Sequence, residues 1–316
     1  MEDRIRAAPV RGSAACGGTD RIATRAQLSR ARVASHRYPG SVNRLPAARR
    51  FARTLEGESI AYRSYGTGEP VVLVHGTALS QVVWRGLGYV DALAQDHRVI
   101  TIDLRGHGQS TIPVTADRYS LERLAGDVLA VLDDAGIPSV HYIGYSLGGL
   151  IGFSLLDRLP ERIRSFTALA GTFRPADESA ERVFFPEPAG VIAAGGMVAF
   201  VEQWARARGE SVDAQTSRAL RRNDPRAMIA LLTALEAEKP MDTERLAALR
   251  TPSLLIVGDA DTACSEPTRE AAMRMPDARL VVLAGEDHAS ILGASAQVIA
   301  EVRRFLRAQR SQSDLT

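Results

Sequence analysis

Four glycines, at positions 144, 148, 149 and 152, surround one serine in the stretch "HYIGYSLGGLIG" that runs from residue 141 to 152. Glycine costs about 1 kcal/mol relative to alanine inside a helix, and it weakens strand interiors, so its accumulation here calls for a steric reason. Gly144, Ser146 and Gly148 fit the pattern G-x-S-x-G, directly after the apolar run "SVHYIG" and directly before a helical pattern. A strand that turns sharply into a helix lifts the serine hydroxyl above the sheet. The flanking glycines keep Cβ atoms away from the point where strand and helix nearly touch. Such a serine can attack a carbonyl carbon if a base removes its proton and an acid orients that base. A turn of small residues with an incidental serine is the bland alternative, and the strand–turn–helix context argues against it.

These groups need a scaffold that holds them. From Phe51 onward "RTLEGESIAYRSYG" alternates around Gly57 and predicts a hairpin. The runs "VVLVHG", "RVITID", "SVHYIG", "SFTALAG", "SLLIVGD" and "RLVVLAG" are short and apolar, as strands buried on both faces of a parallel sheet must be. Between them lie amphipathic stretches. One of these, "SLERLAGDVLAVLDDAG", predicts a helix with Ser120 as its N-cap and Gly136 as its stop. Alternating strands and helices predict an α/β fold, a mostly parallel central sheet flanked by helices. From Thr172 to about Leu249 the strand rhythm ceases, and "GMVAFVEQWARAR" and "PRAMIALLTALEAE" read as helices. They predict a helical cap over the C-terminal edge of the sheet, where such folds bind ligands. The expected organisation is therefore a basic, disordered extension over 1–50, core over 51–171, cap over 172–248 and core again over 249–316.

The body from residue 51 to about 310 resembles the α/β-hydrolase superfamily. Four motifs carry the resemblance: "VVLVHGTA", "DLRGHGQS", "GYSLGG" and the late pair "VGDAD" and "AGEDHAS". It implies an α/β-hydrolase fold and a Ser-His-Asp arrangement in the chain order serine, acid, histidine. His288 is the one histidine after Ser146 and is assigned as the base; His36, His75, His97, His107 and His141 all precede the serine. The family places the acid three residues beyond the glycine of "LLIVGDAD", which is Asp261, with Asp259 as its rival. Asp287 adjoins His288 and reads as a loop residue. For the oxyanion, the resemblance implies backbone N–H donors at Leu147, next to the nucleophile, and at Thr77, in the loop after "VVLVHG". His107 and Asp103, within "DLRGHGQS", read as architecture and not as a second catalytic set.

Serine at the turn argues against the dehalogenase and epoxide-hydrolase branches, whose chemistry needs a carboxylate nucleophile. Hydrolysis of a carboxylic ester or lactone through an acyl-enzyme is the expected reaction, with a small-molecule substrate. C–C bond hydrolysis and cofactor-free perhydrolysis stay as alternatives, although "HGTALSQ" and Leu147 depart from those branches' patterns. A small-molecule receptor of hydrolase descent is an alternative of a different class. Phe184, Phe185, Met197, Phe200, Trp204 and Met228 could line an apolar site, or could serve only to dock the cap.

The bulk properties narrow the partners. The 316-residue chain has a net charge of +2, yet residues 1–50 carry eleven arginines against three acids, so the body is mildly acidic. That balance speaks against a nucleic-acid surface. No window approaches the roughly 18 uninterrupted apolar residues of a membrane-spanning helix. Two distant cysteines, Cys16 and Cys264, make no disulfide framework, which leads to the expectation of a cytoplasmic protein. No Cys/His cluster has metal-ligand spacing, and no G-x-G-x-x-G follows a strand. Neither a metal nor an organic cofactor is expected.

Overall fold

Val71 and Leu73 feed one hydrophobic core while Val72 and Val74 feed another. Successive strand side chains point to opposite faces, so a strand covered on both sides must be apolar throughout. That is the origin of the uninterrupted "VVLV". The computed structural model describes residues 47–175 and 180–313. The extension expected over 1–50 lies outside the described residues except for its last four positions, and Arg50 already opens the first strand.

Eight strands form one sheet: β1 (Arg50–Arg53), β2 (Ser59–Tyr65), β3 (Glu69–Val74), β4 (His97–Ile102), β5 (Val140–Tyr145), β6 (Ile163–Leu169), β7 (Ser253–Gly258) and β8 (Ala278–Leu283). Their spatial order is β1-β2-β4-β3-β5-β6-β7-β8. β1 and β2 are the antiparallel hairpin expected around Gly57, whose φ of +86° suits the turn. β2 is also antiparallel to β4, and all the other pairings are parallel. Every residue of β5 and β7 is buried. The helix Leu121–Asp134 starts at Ser120, whose side chain accepts from the Arg123 N–H, and Gly136 follows it with φ +68°.

Between β6 and β7 the described chain is helical: Ala180–Val183, Pro188–Arg208, Ala214–Leu220, Pro225–Glu236 and Thr243–Ala248. Within the longest of these, Gly196 adopts φ +65° and kinks the helix. The helix therefore begins eight residues before "GMVAFVEQWARAR", with Pro188 at its first turn. Asn223 ties this layer to the loop after β3 by donating to the Ala78 carbonyl at 2.7 Å.

A buried ion pair ties the loop after β4 to the helix Leu121–Asp134. Arg105 is 1% exposed and donates through Nε and Nη2 to the Asp127 carboxylate at 2.7 and 2.6 Å. Removing one partner of a buried pair strands the other charge, which costs about 3–5 kcal/mol. Asp127→Ala is expected to lower the unfolding free energy by that amount in urea titration. A loss below about 1 kcal/mol would contradict it.

Candidate active site

The residues expected to do chemistry all lie on loops at the C-terminal ends of parallel strands. Ser146 separates β5 from the helix Leu147–Arg158, Asp261 follows β7, and His288 follows β8. Ser146 has φ +50° and ψ −119°, a conformation costing of order 1–3 kcal/mol for a non-glycine residue. The surroundings enforce it. Its N–H donates to the Leu169 carbonyl at 3.0 Å, and the Gly149 and Leu150 N–H groups donate to its own carbonyl. A Cβ on Gly144 would overlap the Gly148 carbonyl, and one on Gly148 would overlap the Val74 carbonyl. This close approach of strand to helix is what the glycines allow.

Ser146 Oγ lies 2.9 Å from His288 Nε2, and His288 Nδ1 lies 3.0 Å from Asp261 Oδ2. A carboxylate can only accept, so Nδ1 carries the ring proton and Nε2 is left to accept from the serine hydroxyl. Asp261 is 2% exposed, and its other oxygen accepts from the Ala263 and Cys264 N–H groups at 3.1 and 2.9 Å. Tyr145 Oη donates to the His288 carbonyl at 2.8 Å and so fixes the histidine loop. Asp259 sits elsewhere, accepting from the Gly285 N–H at 2.7 Å as a turn residue. Asp287 caps the short helix Ser290–Gly293 by accepting from the Ala289 and Ser290 N–H groups. Burial pushes the Asp287 carboxyl up, but those donors and Arg208 at 3.0 Å outweigh it and hold the group below the usual carboxylate range.

Thr77 and Leu147 bring backbone N–H groups to the same region. Among the described residues neither N–H donates to a protein acceptor. The loop that carries Thr77 is braced by two histidines. His107 Nε2 accepts from the Ala78 N–H at 3.0 Å, while His75 Nε2 accepts from the Leu104 N–H at 3.1 Å. Asp103 adds to the brace, accepting from Gln81 through both its backbone N–H and its amide. The motif "DLRGHGQS" thus braces the loop that carries Thr77.

Accepting at Nε2 requires both histidines to be neutral. Burial holds His75 near 4, and burial together with the neighbouring His75 ring holds His107 near 3. Their folded pKa values lie below the unfolded value of about 6.5, so the unfolded chain binds more protons between these limits. The stability they contribute is present above about pH 6.5 and is lost as pH falls toward 4. The unfolding free energy obtained from urea titrations between pH 7 and 4.5 is expected to fall, by up to about 1.4 kcal/mol per pH unit for each ring. A His107→Gln variant is expected to lose part of that slope, and an unchanged slope would contradict the assignment.

A cavity of about 270 Å³ opens over Ser146 and His288. Of the six apolar residues considered for its walls, Phe184 and Trp204 line it. Phe185, Met197, Phe200 and Met228 do not; each is at most 3% exposed and packs in the core. Helical periodicity marks an apolar face without saying whether that face meets a cavity or other side chains. Tyr145, Arg182, Arg208, Thr216 and Leu220 also line the cavity, and no sequence signal had singled them out. Cys264 had none either: its Sγ lies 3.5 Å from His288 Nδ1.

The fold is shared with known proteins. Residues 69–293 match the family model described as alpha/beta hydrolase fold. A protein of Stutzerimonas stutzeri, provisionally named a carbamate hydrolase, is 30% identical over 248 residues, covering 74% of this chain and 91% of its own. The crystal structure of the enol-lactonase from Burkholderia xenovorans is 25% identical with a TM-score of 0.70, covering 82% of this chain and 100% of that one. An N-acyl homoserine lactone degrading enzyme is 26% identical with a TM-score of 0.67, covering 81% and 100%.

Proposed function

The chain belongs to the alpha/beta hydrolase family, and from that premise we propose that it is a serine hydrolase cleaving a carboxylic ester or lactone through an acyl-enzyme. The observation that carries this is the relay from Ser146 Oγ through His288 to Asp261, at 2.9 and 3.0 Å, facing an open cavity. In the first step Ser146 Oγ attacks the carbonyl carbon and its proton passes to His288 Nε2. Asp261 accepts from Nδ1–H and stabilises the imidazolium that forms. The carbonyl oxygen, now negative, takes the Thr77 and Leu147 N–H groups, and loss of one such donor costs about 2.7–4 kcal/mol of barrier. His288 then protonates the leaving alkoxide, which for a lactone stays tethered to the acyl group. Water, deprotonated by His288, cleaves the acyl-enzyme.

The cavity volume supports a small acyl group, since it falls just under the usual 300–1,000 Å³ of ligand pockets. Turnover of a p-nitrophenyl ester series from acetate to decanoate, run beside a set of simple lactones, tests the reading. Hydrolysis with an optimum at the short end is expected. Saturable binding without turnover of any ester or lactone would instead favour the receptor alternative.

A further inference from the structure

Cys264 stands beside the relay, and the mechanism gives it no part. It is fully buried, packs with Val257 and Ala263, and stands at the start of the helix Ser265–Arg274. From there its Sγ reaches to 3.5 Å from His288 Nδ1, on the side of the ring where Asp261 Oδ2 stands at 3.0 Å. The three donor atoms lie within 4.8 Å of one another. Spacing in the chain hid this set, because its members come from two different loops.

We propose that Asp261, Cys264 and His288 form a latent site for a thiophilic divalent cation of the zinc type, and that its occupation switches the serine relay off. Zinc binds sulfur at about 2.3 Å and nitrogen at about 2.05 Å, so tetrahedral ligands stand about 3.5 Å apart for N and S and about 3.3 Å for N and O. The observed separations of 3.5 and 3.0 Å are close to those edges. Charge balance fits too. Binding releases the thiol proton, and the resulting thiolate and the Asp261 carboxylate together offset the dication, as a buried ion requires. A thiolate with an imidazole selects zinc, cobalt or cadmium over magnesium or calcium. Asp261 and His288 line the cavity, which gives the ion its way in and a water for its fourth position.

The consequence for catalysis follows from the imidazole tautomer. A cation on Nδ1 takes the place of the proton there, and the neutral ring then carries its single proton on Nε2. That nitrogen donates to Ser146 Oγ and can no longer accept from it. This inhibitory step rests on the proposed role of His288 as proton acceptor; cation binding itself does not.

Titration of the full chain with Co²⁺, followed by Zn²⁺ competition, tests the proposal. A thiolate-to-cobalt charge-transfer band is expected at one equivalent, and Zn²⁺ should abolish it. Zn²⁺ should also inhibit ester hydrolysis, with at least a tenfold weaker effect on Cys264→Ala, each protein being compared with its own rate without metal. Cys264→Ser, nearly isosteric, carries the same comparison if the alanine variant does not accumulate. Absence of the band, or equal Zn²⁺ sensitivity with and without the thiol, would overturn the site. If the band forms but no ester or lactone is turned over, the cation site stands and the hydrolase reading fails alone.

Discussion

Ser146→Ala is expected to lower kcat on the best ester substrate by roughly 10⁴- to 10⁶-fold while KM stays within a few-fold. The reason is that the hydroxyl takes part only once bonds are changing. In the ground state it contributes one hydrogen bond, to His288 Nε2 at 2.9 Å, whereas in the transition state it is the atom forming the new bond. What remains in the variant is the contribution of the oxyanion donors and of substrate positioning, roughly 10³–10⁴ over water. The backbone should tolerate the change, because alanine meets the same strain at φ +50° as serine does and its Cβ occupies the same place. Steady-state kinetics beside a thermal melt separates the two effects. Retention of more than about 1% of wild-type turnover by a normally folded variant would show that another group is the nucleophile.

Asp261→Asn should cost almost as much, roughly 10⁴-fold in kcat. Two backbone N–H groups, from Ala263 and Cys264, already donate to Asp261 Oδ1. In the asparagine variant they hold the amide oxygen on that side and turn its NH₂ toward His288 Nδ1. An NH₂ donor needs an acceptor, so the ring proton moves to Nε2 and the base can no longer take the serine proton. The shape of the site is conserved while its tautomer is inverted. A fall of less than about tenfold would mean that Asp261 does not orient His288, and Asp287 would become the residue to replace.

Ser146 was legible because its glycines answer a local steric demand, and the demand leaves a pattern within nine residues. His288 and Asp261 were legible through chain order and resemblance, both being tied to the ends of apolar strands that announce themselves. The resemblance prefers Asp261 to Asp259, and in the structure Asp261 meets the His288 ring while Asp259 accepts from the Gly285 N–H. Strand content, the hairpin at Gly57 and the caps of Leu121–Asp134 followed from short-range chemistry in the same way. The cavity walls did not. Phe184 and Phe185 are neighbours in the chain, yet the first lines the cavity and the second is buried in the core, because that depends on how helices of the insert pack against one another. The approach of Cys264 to His288 likewise depends on two loops meeting across β7 and β8, which no spacing records.

The central claim, that Ser146 is the nucleophile, is tested most directly by covalent labelling. The full chain would be treated with a fluorophosphonate, and its intact mass and peptide map would then be read. The account predicts one adduct per chain, carried by the peptide that contains Ser146, formed in step with loss of ester hydrolysis and absent in His288→Ala, where no base activates the hydroxyl. Inactivation with the label on a different residue, or ester turnover that persists in fully labelled protein, would contradict it.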